Sequence, residues 1–129
     1  MGQTKILKVL CAEDQKIYAE IVITHFENRG HVVERAENGQ KAWDRISMDL
    51  KRFDVIVTDH QMPFVDGLSL VGRLRSAKYP GKIIVYAAKL TPDQASLYRE
   101  LQVDGIVPKG QQGEGLVKLA EGLFRMGCP

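Results

Sequence analysis

Asp54-Val-Ile-Val-Thr-Asp59 decides how this chain is read. Four apolar or β-branched residues between two aspartates make a short strand, and the closing acid, Asp59, stands at its carboxyl end. Working outward, two other runs end in charge. Lys5-Ile-Leu-Lys-Val-Leu-Cys-Ala12 is followed by Glu13 and Asp14, and Gly105-Ile-Val-Pro108 by Lys109. If the three runs are parallel strands of one sheet, all four charged groups gather at its carboxyl edge. Three carboxylates and one ammonium there suit a divalent cation and a phosphoryl group.

The segments between support a parallel sheet. Strands are predicted from Ile6 to Cys11, His31 to Arg35, Asp54 to Thr58, Lys82 to Ala87 and Asp104 to Val107. Helices are predicted from Gln15 to Asn28, with Ile17, Ile21, Val22 and Phe26 inward; from Gly39 to Leu50, with Trp43, Ile46 and Leu50 inward; and from Gly67 to Ala77, with Leu70, Val71 and Leu74 inward. Gly30 is placed just past the first helix end. Thr91-Pro92-Asp93-Gln94 reads as N-cap, Pro at the first helical position and capping box, opening a helix to about Leu101. Leu116, Leu119, Ala120 and Leu123 mark the last helix. Strict alternation of strand and helix gives five βα units, hence a doubly wound α/β sheet covered on both faces. Ligands of such sheets bind outside the carboxyl ends of the strands, at the switch point.

Composition narrows the classes further. The 129 residues suit one domain, and an apolar fraction of 44% supplies a core and argues against disorder. Eighteen basic residues against sixteen acidic give a net charge of +2, too balanced to imply nucleic acid. No stretch approaches the roughly 18 apolar residues of a membrane helix. Gln3, Thr4, Lys5 and Lys8 break any signal-peptide core, and Ile6 stands where a myristoylation motif starting at Met1-Gly2 wants Ser or Thr. Cys11 and Cys128 lack metal-ligand spacing, and Cys11 is expected to be an inert buried thiol. A cytoplasmic setting is the expectation.

Oxygen-seeking Mg2+ keeps several waters and takes one or two carboxylates plus a phosphate oxygen, so Glu13, Asp14 and Asp59 are its candidate ligands. Lys109 is a compact charge suited to a phosphoryl oxygen. A carboxylate such as Asp59 can itself be the nucleophile and form an aspartyl-phosphate.

From Lys5 to about Arg125 the chain resembles a response regulator receiver domain, with the fold type of the bacterial chemotaxis regulator. Glu13-Asp14 matches the family's acidic pair, Asp59 its phosphorylated aspartate, His60-Gln61-Met62-Pro63 with Asp66-Gly67 its D-x-x-M-P…D-G loop, and Lys109 its phosphoryl-contacting lysine. The resemblance implies a flavodoxin-like five-stranded sheet in the order 2-1-3-4-5 with five helices. It implies Mg2+ as cofactor, held by Glu13, Asp14, Asp59 and the backbone carbonyl of Gln61. It also implies a sensor histidine kinase or phosphotransfer protein as donor. Such a chain is not an enzyme but assists its own phosphorylation and dephosphorylation. Residues 1–129 are expected to be one receiver domain without an output domain, signalling through an unknown downstream protein, with neither nucleic acid nor membrane as direct partner.

Three positions depart from the family pattern. Ala87 stands where Thr or Ser is usual at the end of the fourth strand, Ile106 where Tyr or Phe is usual, and Gly110 where Pro is usual. Ala87 cannot donate to a phosphoryl oxygen, and Ile106 cannot act as the aromatic rotamer switch. The expectation is that Asp59 accepts a phosphoryl group and the signal leaves by another route.

Ordinary roles are expected for several other polar and aromatic residues. His60 is expected to face solvent, His25 to lie on a helix surface and His31 to open the second strand. Trp43 is expected in the core. Thr58 and Tyr86 point to the sheet face opposite their neighbours Asp59 and Ala87, and Tyr86 is expected to be an exposed contact residue. Lys89, Arg99, Lys118 and Arg125 are expected on a solvated face.

Two other classes of function compete. A phosphorylation-independent interaction module on the same fold is favoured by Ala87 and Ile106 and opposed by the acids with Lys109. A flavin or nucleotide protein would need a phosphate cradle after the first strand, where Ala12-Glu13-Asp14 instead places negative charge. A two-aspartate hydrolase is disfavoured by Gln61, which occupies the second aspartate's place.

Overall fold

A computed structural model describes residues 5–110 and 113–125, the side chain of Arg125 excepted. Met1 to Thr4 and Cys128 lie outside the described residues, as does the expectation for Arg125's side chain. The chain order is β1 (Lys8–Ala12), α1 (Lys16–Asn28), β2 (Val32–Ala36), α2 (Gly39–Met48), β3 (Val55–Thr58), α3 (Gly67–Ser76), β4 (Lys82–Ala87), α4 (Pro92–Glu100), β5 (Gly105–Pro108) and α5 (Gly113–Arg125). Among the described residues the sheet has five strands in the order β2-β1-β3-β4-β5, all neighbours parallel.

Strand alternation sorts the core into two layers. Val9, Cys11, Val55, Val57, Ile84 and Tyr86 face α1 and α5, meeting Val22, Phe26, Leu116, Val117 and Ala120. Leu10, Ala12, Ile56, Ile83, Val85 and Ala87 face the other way, onto Ala42 and Ile46 of α2, Leu70, Val71 and Leu74 of α3, and Tyr98 of α4. Full burial of one such aliphatic side chain is worth about 1.5–3 kcal/mol. The chain leaves β1 outward to β2, then crosses back to β3. The connections after β1 and β3 therefore depart to opposite faces and leave a crevice between them.

The helix ends follow local chemistry. Thr91 closes a full capping box with Gln94. The side chains of Asn38 and Asp66 accept from the backbone N–H of Lys41 and Ser69 to start α2 and α3. Gly30 holds φ +87°, and the N–H groups of Gly30 and His31 donate to the carbonyls of Glu27 and Phe26, terminating α1. His31 is thus part of the helix stop, and β2 begins one residue later than expected.

Ile17 is a correction. It is 66% exposed, because the buried stripe of α1 is Ala19, Val22 and Phe26. Five residues separate Ile17 from Val22, which turns it about 140° away round the helix. Trp43 and Leu50 are only partly buried and pack against the α2/α3 layer.

Candidate functional site

Backbone pairing continues past the strand ends and places the charged residues. The N–H of Glu13 donates to Ala36 O (3.0 Å), that of Asp59 to Ala12 O (3.0 Å), and that of Lys109 to Ala87 O (2.8 Å). Each residue is the next rung of its ladder, so all three share one edge of the sheet. Lys109 Nζ then bridges Glu13 Oε1 at 2.8 Å and Asp59 Oδ2 at 2.9 Å. The other carboxylate oxygen, Asp59 Oδ1, accepts from the N–H of His60 at 2.7 Å. The ammonium also lies 4.3 Å from the centre of the Tyr18 ring, which fixes it from the α1 side. Arg35 donates to the carbonyls of both Glu13 and Asp14 at 3.1 Å, pinning the turn into α1.

The loop after β3 is shaped by its glycine. A Cβ on Gly67 would stand 2.3 Å from the carbonyl oxygen of Asp59 and 2.4 Å from the hydroxyl of Tyr98. Only glycine lets α3 start this close to the strand end, while Asp66 caps it.

A cavity of about 580 Å³ opens over this edge, lined among others by Asp14, Asp59, Gln61, Ala87, Lys89 and Lys109. Asp14 is exposed at its mouth, whereas Glu13 is buried behind Lys109. Glu13, Asp14 and Asp59 each offer an oxygen, and these atoms lie within 4.8 Å of one another. Three acids against one amine leave excess negative charge, which a hard divalent cation with oxygen ligands fits. The structure thus gathers Glu13, Asp14, Asp59, Gln61, Ala87 and Lys109 at one place. Ile106 lies one strand away, partly buried against the α2/α3 layer.

Burial pushes the Glu13 carboxyl up to about 7; the Asp59 charge adds to this, and the hydrogen bond from Lys109 opposes it. For Lys109, burial works against the charged form, but the bonds to Glu13 and Asp59 outweigh it and the net direction is up. Burial above all raises the Cys11 thiol to about 12, which leaves it inert. The Glu13 shift has a signed consequence. Between its ordinary value of 4.5 and about 7 the folded chain binds a proton that the unfolded chain does not. Stability is therefore highest below that window and falls as pH rises through it. Urea midpoints in EDTA at a series of pH values are expected to show this fall, and Glu13→Gln to remove most of it.

Two expectations are corrected here. His60 is not solvent-facing: it is 7% exposed, because its ring turns under the loop and Nδ1 lies 2.7 Å from the Tyr98 hydroxyl. Tyr86 does point away from Ala87, but it is not an exposed contact. It is 2% exposed, packed edge-on to Tyr18 with ring centres 6.5 Å apart, and its hydroxyl has no hydrogen-bond partner among the described residues. Helix α1 covers that face and hides it. Tyr18 and Tyr98 were not singled out from sequence. Tyr98 had a usable signal: it is a lone aromatic among the polar residues of Pro92–Glu100.

Fold and edge together define a flavodoxin-like α/β protein with an acidic, lysine-bridged pocket at its switch point. The chain belongs to the response regulator receiver domain family, whose model matches residues 9–121, the receivers of two-component systems. It is 31% identical over 111 residues to a gliding motility regulatory protein of Myxococcus xanthus, covering 84% of this chain and 14% of that one. It is 28% identical over 123 residues to the response regulator MprA of Mycolicibacterium vanbaalenii, covering 95% of this chain and 52% of that one. The chain thus spans about half or less of the length of these two relatives. Among solved structures it superposes on a receiver domain of a Francisella response regulator with a TM-score of 0.85 and 28% identity, covering 95% of this chain and 99% of that one. No helix among the described residues is long and apolar enough to cross a membrane.

Proposed function

We propose that this chain accepts a phosphoryl group on Asp59 from the phosphohistidine of a histidine kinase or phosphotransfer protein, and signals through protein contacts. The observation that carries the reading is the Lys109 ammonium, held 2.9 Å from Asp59 and backed by Glu13. An Asp59 carboxylate oxygen attacks phosphorus, the P–N bond of the donor breaks, and its electron pair stays on the imidazole nitrogen. Lys109 and the N–H of His60 orient the attacking carboxylate, and Lys109 is placed to neutralise charge on the phosphoryl oxygens. Glu13, Asp14, Asp59 and the carbonyl of Gln61 are the groups that would hold Mg2+, which supplies positive charge against those oxygens. The chain is no enzyme toward other substrates; it assists its own modification.

The test is incubation with acetyl phosphate and Mg2+, followed by intact-mass and peptide-level mass spectrometry. The expected result is one phosphoryl group on the Asp59 peptide, abolished by EDTA. A second reading, a module that binds partners without phosphorylation, draws on Ala87, which lines the pocket with no hydroxyl. An Asp59 left unmodified under these conditions would select it.

A further inference from the structure

The family pattern couples the phosphorylated site to its surface through a hydroxyl and an aromatic ring, and neither is available at Ala87 or Ile106. A different hydroxyl and ring meet one residue after Asp59. His60 Nδ1 and the Tyr98 hydroxyl are 2.7 Å apart, with the rings edge to face and their centres 5.6 Å apart. Tyr98 is fully buried and is the one buried residue of α4, so the seat of that helix on the α2/α3 layer is largely this side chain. The three groups of His60 reach three places. Its N–H holds Asp59 Oδ1, its carbonyl accepts from the N–H of Gly67 at the start of α3 at 2.7 Å, and its ring holds Tyr98. The missing Cβ of Gly67 leaves the room into which the Tyr98 hydroxyl fits.

We propose that the His60–Tyr98 hydrogen bond couples the chemical state of Asp59 to helix α4, in place of the hydroxyl and aromatic pair that Ala87 and Ile106 do not provide. The inference rests on the reading that Asp59 accepts a phosphoryl group. Before modification the His60 N–H donates to a carboxylate, a charge-assisted bond about twice as strong as a neutral one. Phosphorylation of Asp59 turns that carboxylate into a mixed anhydride, whose own oxygens are neutral acceptors, and adds charged phosphoryl oxygens beyond it. The His60 peptide reorients toward the strongest of these. The His60 carbonyl, in the following peptide unit, stays tied to the N–H of Gly67, so the residue pivots rather than slides, and the ring carries the Tyr98 hydroxyl with it. Burial, with Asp66 and Asp59 adding to it, pushes the Tyr98 phenol up, so the hydroxyl keeps its proton throughout. A buried bond of this length has two outcomes, kept with a shift of α4 or broken with an unpaired hydroxyl, and the second leaves a buried donor stranded. Packed cores resolve such a choice by moving between discrete arrangements.

The experiment is backbone amide NMR of the full chain with and without beryllofluoride and Mg2+, in wild type, Tyr98→Phe, His60→Phe and the double variant. In wild type, shift changes are expected around Asp59 and through residues 92–100 of α4. In Tyr98→Phe the changes around Asp59 are expected to persist while those of α4 fall severalfold, with phosphoryl uptake from acetyl phosphate near the wild-type rate. His60→Phe and the double variant are expected to lose the α4 response to the same extent as Tyr98→Phe, since all three remove one and the same bond. Undiminished α4 changes in Tyr98→Phe, or losses in the two single variants that add in the double, would overturn the coupling alone. A wild type that shows neither shift changes around Asp59 nor phosphoryl uptake would overturn the phosphorylation reading, and the coupling with it.

Discussion

Alanine at position 109 is expected to slow phosphoryl uptake by Asp59 about 10²–10³-fold, the usual effect of removing one preorganised charge-stabilising group. It is also expected to lower stability at neutral pH by about 3–5 kcal/mol, because breaking a buried pair from one side strands the other charge. The geometry makes both effects large. Lys109 Nζ is the amine between Glu13 and Asp59, and the side chains of all three are less than a tenth exposed. Without it, two buried carboxylates face each other with no ammonium between them, each left with one backbone N–H, from Gln15 and from His60. Glu13, already raised to about 7, would take a proton more readily still, so the stability loss is expected to be smaller at pH 6 than at pH 8. Added Mg2+ is expected to recover much of the stability at pH 8 but not the rate. The stability is restored because a cation there neutralises the acids, and the rate is not because the ammonium proposed to meet the phosphoryl group is gone. Urea denaturation at the two pH values, with and without Mg2+, and the time course of the phosphorylated mass check these outcomes. Uptake by Lys109→Ala at the wild-type rate would remove Lys109 from the proposed chemistry.

The sheet and its charged edge were legible because both depend on short-range patterns. The run from Asp54 to Asp59 is apolar without period, as a strand buried on both faces must be, and the charged residues sit one step beyond such runs. Thr91 to Gln94 spells its capping box in four letters. What the sequence did not disclose is the environment of single polar or aromatic side chains, which depends on partners far along the chain. His60 meets Tyr98 across 38 positions and His31 meets Glu121 across 90. A histidine beside an exposed loop motif reads as solvated until the helix that covers it is in place. Tyr86 illustrates the same limit: alternation gave its direction correctly, but not that α1 would lie over it. Ile17 failed for a local reason, since several phases of an apolar stripe fit one stretch and only the packed partner selects between them.

Removing the carboxylate of Glu121 is expected to destabilise the fold by about 3–5 kcal/mol while leaving phosphoryl uptake unchanged. Glu121 is buried in α5, and its Oε2 lies 2.7 Å from His31 Nε2. The opposite ring nitrogen, Nδ1, accepts from the N–H of Leu7 at 3.0 Å. That backbone donor forbids a hydrogen on Nδ1, so the hydrogen must sit on Nε2 and be given to Glu121. Arg29 adds two bonds to the same carboxylate, at 3.2 and 3.0 Å, from a side chain that reaches solvent. Burial alone would raise the Glu121 carboxyl, but the bonds from Arg29 and His31 outweigh it and hold it below its ordinary value. One acid thus ties α5 to the end of α1, the start of β2 and the residue before β1, all at the amino edge of the sheet, opposite the pocket. Glu121→Ala leaves the His31 N–H without its acceptor and opens a void beside the His31 ring, which packs edge-on to Phe26. Arg29→Ala, by contrast, removes the cationic partner but keeps the carboxylate on His31, and is expected to cost less than Glu121→Ala. Urea midpoints and the nitrogen shifts of the His31 ring give the two readouts, the ring shifts reporting which nitrogen carries the hydrogen. A Glu121→Ala chain as stable as wild type would show that α1 and one face of the sheet hold α5 by apolar packing alone. A chain that loses stability together with Asp59 phosphorylation would show that the two edges are not independent.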